Sequence, residues 1–312
     1  MQTLTVVVPA YNESEGLREF HARLAAVFDQ LDLTASVLYV DDGSRDDTWA
    51  VMESLRAGDA RVATLKLSRN FGKELALTAG LDHADADAVV VIDADLQDPP
   101  ELIAQFIARW REGYDVVYGT RSTRAGESRL KKATAAAFYR VMERLSATPV
   151  PRDTGDFRLM SRRALDALKK LRERQRFMKG LFTWIGYRQT AVYYLREPRQ
   201  AGTTKWNYWR LLQLAIEGFT SFSTAPLRLA TWVGVAASLL SFLFGLWVLG
   251  KALLFGDPVQ GYPSLMVVIL FIGGVQLLAL GVIGEYLGRN YAESKQRPLY
   301  FVEEQRSARE KR

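Results

Sequence analysis

The chain has 312 residues, enough for one large domain and a smaller appendage, and it contains no cysteine. The lack of cysteine excludes disulfide bonds and thiolate metal sites. A net charge of +6 suits either nucleic acid or an anionic membrane surface, but the basic residues gather around two apolar stretches. The composition therefore favours a lipid bilayer as a partner and predicts no binding of nucleic acid.

Strand-like and helix-like segments alternate in the N-terminal part of the chain. Apolar runs rich in β-branched residues predict strands at 4–8, 36–40, 62–67, 89–92 and 115–120. Apolar periodicity and capping residues predict helices at 15–31, 46–56 and 73–83, with Asn12 capping the first and Ser44 with Asp47 the second. The alternation predicts βαβ units and therefore an α/β, Rossmann-like fold with a mostly parallel sheet.

Polar segments follow four of the predicted strands, at 9–13, 41–44, 68–73 and 93–97. Ligands of such sheets bind beyond the carboxyl ends of the strands, so we expect these segments to line one crevice. Neither the glycine-rich dinucleotide motif nor a P-loop occurs in the sequence. A metal ion held by carboxylates is therefore the expected means of binding a nucleotide diphosphate.

The strongest metal candidate is Asp93-Ala-Asp95, which ends the fourth predicted strand and is followed by Gln97. Two carboxylates beside so apolar a strand are costly unless they are paired. A hard cation, Mg²⁺ or Mn²⁺, would pair with them and share its coordination shell with substrate phosphates. The alternative is that the aspartates only cap the next helix, although Asp98 already occupies a capping position.

Basic residues follow the fifth predicted strand. Arg121 stands at the strand end and is a candidate anion ligand, whereas Arg124 and Lys132 either bind a ligand or form a solvated face. Further along, Asp156 either faces the crevice or forms a structural pair with Arg158. The spacing alone leaves both alternatives open.

Two stretches, 229–250 and 258–284, contain no charged residue. A helix needs about 20 apolar residues to cross a bilayer, so we predict two transmembrane helices, at about 229–251 and 263–286, joined as a hairpin. Basic residues flank the hairpin at Arg228, Arg289 and Lys295, which predicts a cytoplasmic catalytic domain (1–205) and a cytoplasmic basic tail (291–312). Segment 206–227, with Trp206 and Trp209, is predicted to be an amphipathic helix at the membrane interface.

Six short motifs resemble those of family 2 glycosyltransferases of the polyprenyl-phosphate branch. They are Val-Val-Val-Pro-Ala-Tyr-Asn-Glu at 6–13, Val-Asp-Asp-Gly-Ser at 40–44, Ser-Arg-Asn-Phe-Gly-Lys-Glu at 68–74, Asp-Ala-Asp-Leu-Gln-Asp-Pro at 93–99, Thr-Gly-Asp-Phe-Arg-Leu-Met-Ser at 154–161 and Ala-Gly-Thr-Thr-Lys at 201–205. The order of the motifs and the C-terminal hairpin resemble the bactoprenol glucosyltransferase group in particular, with dolichyl-phosphate mannose synthases also similar.

The resemblance implies a GT-A fold, a UDP-sugar donor, most simply UDP-glucose, and undecaprenyl phosphate as acceptor. It further implies a multi-pass protein of the bacterial inner membrane that acts in O-antigen modification. Mg²⁺ or Mn²⁺ is the implied cofactor. The resemblance also implies a homo-oligomer, specifically a tetramer, and glycines of the second span, such as Gly273 and Gly281, permit close helix packing between protomers.

Site residues follow from the same resemblance, position by position. The nucleotide-sugar residues are Pro9, Tyr11, Glu13, Asp41, Asp42, Lys73 and Asp93. The metal ligands are Asp93, Asp95 and Gln97, and the acceptor-phosphate residues are Arg121, Arg129, Lys131 and Lys205. The catalytic residues are Asp95, Asp156 and Arg121.

Inverting, in-line transfer is expected because a phosphate monoester is largely ionised at neutral pH and needs alignment more than a strong base. Three alternatives stay open. One is a mannosyl or aminosugar transferase with the same architecture. Another is a processive polysaccharide synthase, against which the absence of a Gln-x-x-Arg-Trp motif argues. The last is a membrane partner module without enzymatic activity.

Overall fold

The computed structural model describes residues 2–121, 154–174, 176–195, 225–255 and 262–308. The chain forms two compact units. One comprises Met1–Arg144, Thr148–Ala215 and Arg297–Arg312, and the other comprises Leu145–Ala147 and Ile216–Gln296. The residues after the C-terminal helices therefore belong to the same unit as the N-terminal part of the chain.

Strands and helices alternate through the first unit as the sequence predicts. The strands are β1 (Thr3–Ala10), β2 (Thr34–Asp41), β3 (Val62–Leu67), β4 (Ala88–Val91), β5 (Val116–Arg121), β6 (Thr154–Ser161), β7 (Gln189–Tyr194) and β8 (Val302–Arg306). The helices are α1 (Leu17–Phe28), α2 (Thr48–Gly58), α3 (Lys73–His83), α4 (Ile103–Arg111), α5 (Arg162–Lys169), α6 (Met178–Trp184), α7 (Ala225–Phe255) and α8 (Tyr262–Ser294), with a short 3-10 helix at Pro100–Leu102.

Within the described residues, eight strands form one sheet in the order β7-β5-β6-β4-β1-β2-β3-β8. The pairs β1–β2, β1–β4, β2–β3 and β5–β7 are parallel. Strand β6 is antiparallel to both β4 and β5, and β8 is antiparallel to β3. The expected GT-A-like α/β fold with a mostly parallel sheet is confirmed, while β6, β7 and β8 are strands that the sequence patterns did not predict.

Helices cover both faces of the sheet, so the central strands β1 and β4 are almost entirely buried and mostly apolar. Val6 and Val8 of β1 face a core that includes Phe20 of α1 and Phe106 of α4. On the opposite face, α3 lies so close that a Cβ on Gly80 would come within 2.3 Å of Val7 Cγ1. This packing fixes the position of the carboxyl ends of the strands, where the candidate site lies.

The predicted helix caps at Asn12 and Ser44 are wrong. Helix α1 begins later, after Gly16, and Asp47 precedes α2 without a side-chain capping bond. Instead, the Asn12 amide donates to Ser44 Oγ at 3.0 Å, and Asn12 Oδ1 accepts from the Arg45 amide at 2.9 Å. These polar side chains tie the loop after β1 to the loop after β2, a long-range role that local capping rules do not reveal.

The second unit contains helices α7 and α8, which contact each other. They extend beyond the predicted spans, and their described side chains include many exposed apolar residues, such as Trp232, Phe242 and Leu277. Among the described residues, one stretch, Phe271–Ser294, is long and apolar enough to cross a membrane, while Ala230–Phe244 is apolar but shorter. The predicted interfacial helix at 206–227 lies, up to residue 224, outside the described residues.

Candidate active site

The carboxyl ends of β1, β2, β3 and β4 lie at one edge of the sheet, and the start of β6 joins them there. Because β6 runs antiparallel to β4, with Val91 opposite Arg158, its residue Asp156 lies next to the segment that follows β4. This register explains how Asp93 and Asp156 meet although they are far apart in sequence.

Lys73 connects these two carboxylates. Its Nζ lies 2.7 Å from a carboxylate oxygen of Asp93 and 2.7 Å from Asp156 Oδ2. Burial disfavours the charged ammonium, but the two carboxylates outweigh that effect and raise the pKa of Lys73. Burial also opposes ionisation of Asp156, yet Lys73 and Lys179 lower the pKa of Asp156 to about 2. Asp156 is therefore an ionised carboxylate at neutral pH.

Glu74, the residue after Lys73, is a buried carboxyl that the sequence analysis did not single out. Burial raises its pKa to about 7, and the negative charge of Asp156 adds to the shift. Its Oε2 accepts the Met178 amide at 3.2 Å, which links α3 to the first turn of α6. The signal available in the sequence was that Glu74 follows Lys73 in the motif at 68–74. The spacing of residues along the chain does not show that Glu74 contacts the distant Met178.

Arg158 does not form the simple pair with Asp156 that its spacing allowed. Its guanidinium donates to the backbone carbonyls of Gly155 at 3.0 Å and Asp156 at 3.3 Å, and it lies 3.7 Å from the ring centre of Phe182. Burial lowers the pKa of Arg158 to about 10. Arg158 thus holds the backbone around Asp156, while Asp156 Oδ1 is buried and has no hydrogen-bond partner among the described residues.

The pair Asp41 and Asp42 forms a second buried acidic feature. Asp42 accepts the Phe71 amide on Oδ1 at 2.7 Å and the Gly72 amide on Oδ2 at 2.9 Å. Asp41 Oδ1 accepts the Ser44 amide at 3.0 Å, whereas its Oδ2 is buried without a hydrogen-bond partner in the described part of the chain. Burial raises the pKa of both carboxyls, and these hydrogen bonds partly offset it.

Position 43, which follows the two aspartates and lies against the loop after β3, requires glycine. Gly43 has φ +66°, and a Cβ there would lie 2.4 Å from the backbone carbon of Arg69 and 2.6 Å from the nitrogen of Asn70. The loops after β2 and β3 are therefore in backbone contact. In the Asp-Asp-Gly sequence, the glycine is needed for this close contact between backbones, and the aspartates supply the carboxylates.

The metal candidates follow β4 in a tight turn. The backbone amide of Gln97 donates to Asp95 Oδ1 at 3.2 Å, and Leu96 between them has φ +57°. The next carboxyl, Asp98, is buried and accepts a hydrogen bond from the Tyr194 hydroxyl. Among the described residues, no group of three or more His, Cys, Asp and Glu side chains is arranged to hold a metal ion. Two carboxylates and an amide oxygen are nevertheless hard donors that suit Mg²⁺ or Mn²⁺ when phosphate oxygens complete the shell.

The remaining nucleotide candidates lie at the same edge. Pro9 is buried in β1 opposite Val40, and Tyr11 is 39% exposed just beyond the strand. The Glu13 amide donates to Thr48 Oγ1 at 2.9 Å, which fixes the backbone of this segment against α2. The four predicted crevice segments are thus brought together.

Three of the four acceptor-phosphate candidates fall in parts of the chain that the structure does not describe. Arg129, Lys131 and Lys205 lie outside the described residues, and of Arg121 only the backbone, at the end of β5, is described. Lys179 was not predicted but lies near Asp156, and burial lowers its pKa. The described part of the site therefore contributes Lys73, Arg158 and Lys179 as cations around Asp156.

The amino-acid sequence of the chain matches two known family models. Residues 5–169 match the model of "Glycosyl transferase family 2". The chain belongs to this family. Residues 225–289 of this family 2 glycosyltransferase match a second model, the "GtrB C-terminal hairpin". The chain is membrane-associated through that hairpin.

Full-length relatives include a protein described as an uncharacterized glycosyltransferase of Synechocystis sp., which is 52% identical over 96% of this chain and 94% of that protein. The bactoprenol glucosyl transferase of Shigella phage SfV is 46% identical over 97% of this chain and 99% of that protein. A crystal structure of glucosyl-3-phosphoglycerate synthase from Mycobacterium tuberculosis with Mn²⁺, UDP-glucose and phosphoglyceric acid is 21% identical, covering 69% of this chain and 76% of that chain with a TM-score of 0.44.

Proposed function

We propose that this family 2 glycosyltransferase moves glucose from UDP-glucose to undecaprenyl (bactoprenol) phosphate. The observation that carries the proposal is the full-length, 46% identity to a bactoprenol glucosyl transferase, which includes both the catalytic part and the hairpin. The product would be a lipid-linked monophosphate sugar, a donor for O-antigen modification.

The donor nucleotide is assigned to the edge formed by Pro9, Tyr11, Glu13, Asp41 and Asp42. Asp41 Oδ2 is buried with no hydrogen-bond partner among the described residues, and such an oxygen is costly unless a ligand donates to it. The uracil imide and the ribose hydroxyls are donors of the required kind. Asp42 shapes the pocket wall, because both of its oxygens already accept backbone amides.

Asp93, Asp95 and Gln97 would hold a divalent metal with the donor diphosphate. When bound, Mg²⁺ or Mn²⁺ neutralises the charge that develops on the leaving diphosphate. Lys73 already neutralises Asp93 at 2.7 Å and keeps it positioned beside Asp156. The cationic Lys73 is also available to the diphosphate, which supports its assignment to the donor site.

Asp156 orients the reacting groups. Its pKa of about 2 makes it a weak base, and the acceptor phosphate arrives ionised, so removal of a proton is not the main requirement. The carboxylate is fixed by Lys73 and by the Arg158 bonds to its own backbone. Such a rigid arrangement suits in-line, inverting transfer, in which positioning lowers the barrier. Arg121, Arg129, Lys131 and Lys205 are proposed to bind the acceptor phosphate.

The hairpin is proposed to cross the inner membrane twice, at about 229–251 and 263–286. Residues on both sides of it, up to Ala215 and from Arg297, belong to one unit, which supports placing both on the same side of the bilayer. The basic flanks favour the cytoplasmic side. We assign 1–205 to the catalytic domain, 206–227 to an interfacial helix and 291–312 to a cytoplasmic tail.

A homo-tetramer is the proposed assembly. At Gly273, Gly274, Gly281 and Gly284 of α8, no atom of the described residues lies within 4 Å of an added Cβ, so this helix face has room for a close neighbour. Native mass spectrometry of the protein in detergent tests the stoichiometry, and a monomer would contradict it.

A donor panel tests the transfer itself. Full-length protein, undecaprenyl phosphate and Mg²⁺ or Mn²⁺ are combined with UDP-glucose, UDP-N-acetylglucosamine or GDP-mannose, and lipid-linked product is measured by mass spectrometry. Glucosyl transfer from UDP-glucose that stops with EDTA supports the proposal. Preferred transfer from another donor, or metal-independent transfer, contradicts the donor or the cofactor assignment respectively.

A further inference from the structure

The C-terminal strand β8 covers the outer edge of β3 in the described sheet. Its register places Leu67 opposite Val302, and the ladder continues when the Ser68 amide donates to the Phe301 carbonyl at 3.0 Å. The ring of Phe301 lies 6.4 Å from that of Phe71, centre to centre. Phe301, the residue immediately before β8, thus contacts the loop that follows β3 through both its backbone and its side chain.

That loop, residues 68–72, is the one that holds Asp42. The amides of Phe71 and Gly72 donate to the two oxygens of Asp42, and the backbone of Arg69 lies against Gly43. A buried carboxylate that depends on two backbone amides keeps its position only while the loop keeps its own. Any element that fixes the loop therefore also fixes Asp42.

Other contacts attach the C-terminal segment independently of the loop. Lys66 Nζ lies 3.3 Å from Glu303, and Arg306 pairs with Glu53 of α2. The Tyr300 hydroxyl donates to Asp82 at 2.9 Å, at the far end of α3. In the chain, residues 295–301 connect α8 to strand β8, which belongs to the same unit as the N-terminal part.

We propose that Phe301 is a positioning residue that holds loop 68–72, and through it Asp42, in the conformation that binds nucleotide. The role rests on the proposed function in so far as Asp42 belongs to the donor pocket. The strand that follows the membrane hairpin would then be a component of the nucleotide site, although it does not itself touch the nucleotide.

Phe301→Ala tests this role with little risk to folding, because the Phe301 side chain is 57% exposed. Loss of one aromatic pair should raise the UDP dissociation constant of the full-length protein by about two- to tenfold in calorimetry. The KM for donor should rise by a similar factor, with kcat and the KM for acceptor unchanged. Glu303→Gln, on the adjoining strand β8, removes the ion pair with Lys66 and should leave all these values at wild-type level.

Hydrogen exchange measures the loop without nucleotide. In Phe301→Ala, the Phe71 and Gly72 amides should exchange faster, while amides of the central strand β1 should not change. The double variant Phe71→Ala/Phe301→Ala should bind UDP no more weakly than Phe71→Ala alone, since both changes remove the same contact.

The outcomes separate this inference from the proposed function. Unchanged exchange at Phe71 and Gly72, or unchanged UDP affinity in a variant of a binding-competent protein, overturns the role of Phe301. A wild-type protein that binds no UDP contradicts the proposed function and the nucleotide part of this inference, while exchange still decides whether Phe301 holds the loop.

Discussion

Glu74→Gln isolates the effect of one buried carboxyl on stability. Glutamine has the shape of a protonated glutamate and keeps an oxygen that accepts the Met178 amide. The pKa of Glu74 rises from 4.5 to about 7, mainly because of burial. At 1.36 kcal/mol per unit, this difference corresponds to at most about 3 kcal/mol.

The direction in which pH changes stability depends on whether the folded or the unfolded chain binds the Glu74 proton more tightly. The folded protein holds the proton on Glu74 more strongly than the unfolded chain, so the contribution of Glu74 to stability is complete below pH 4.5 and is lost as the pH rises through about 7. Wild type should therefore lose stability relative to Glu74→Gln as the pH rises.

Thermal unfolding of the full-length protein in detergent, from about pH 5 to pH 8, measures the effect. The melting temperature of Glu74→Gln minus that of wild type should increase across this range by up to about 10 °C. Glu112→Gln, which removes an exposed carboxylate paired with Arg109, should show no such trend. Glu74→Ala loses the acceptor for Met178 and should be destabilised at every pH. Parallel curves for wild type and Glu74→Gln would refute the assignment of a raised pKa to Glu74.

Three further substitutions test the site. Asp95→Ala should abolish transfer while the protein still folds and stays in membranes, and turnover near wild type would remove the metal role from this position. Asp156→Asn should lower kcat by about 10²-fold with a smaller change in KM, because the reacting groups lose their alignment; an unchanged kcat would contradict that role. Gly43→Ala should lower the melting temperature and weaken UDP binding, because its Cβ would lie 2.4 Å from backbone. Gly58→Ala is the matched control and should be close to wild type, because no atom in the described part of the chain lies within 4 Å of an added Cβ there.

The central part of the fold was predictable because its signals are local. The apolar runs of β1, β2 and β3 are bounded by turn residues, and helix α3 occupies the predicted range. Strands β6 and β8 were not predicted, since their sequences mix polar and charged residues with apolar ones. In β6, Asp156 and Arg158 are buried only because neighbouring elements supply Lys73 and Phe182 as partners.

The residues of the candidate site also differ in whether local sequence signals could identify them. Asp93-Ala-Asp95 stood out because two carboxylates follow a buried strand, and parallel strands place their carboxyl ends together. Lys73 was named from the family resemblance as a nucleotide-sugar residue, but its bridge between Asp93 and Asp156 could not be identified in the sequence. Glu74 was missed for a related reason: its raised pKa depends on burial against residues distant in the chain.

The sequence by itself determined the α/β class, the edge of the sheet where the candidate site lies and the apolar C-terminal hairpin. Each of these follows from periodicity, strand-end composition or the length of an uncharged run, which neighbouring residues along the chain specify. Only the tertiary structure decided that Lys73 bridges two carboxylates, that Arg158 donates to the backbone around Asp156 and that Phe301 contacts the loop around Asp42. Those contacts depend on strand order and register, which are set by burial of the whole sheet and not by any single segment.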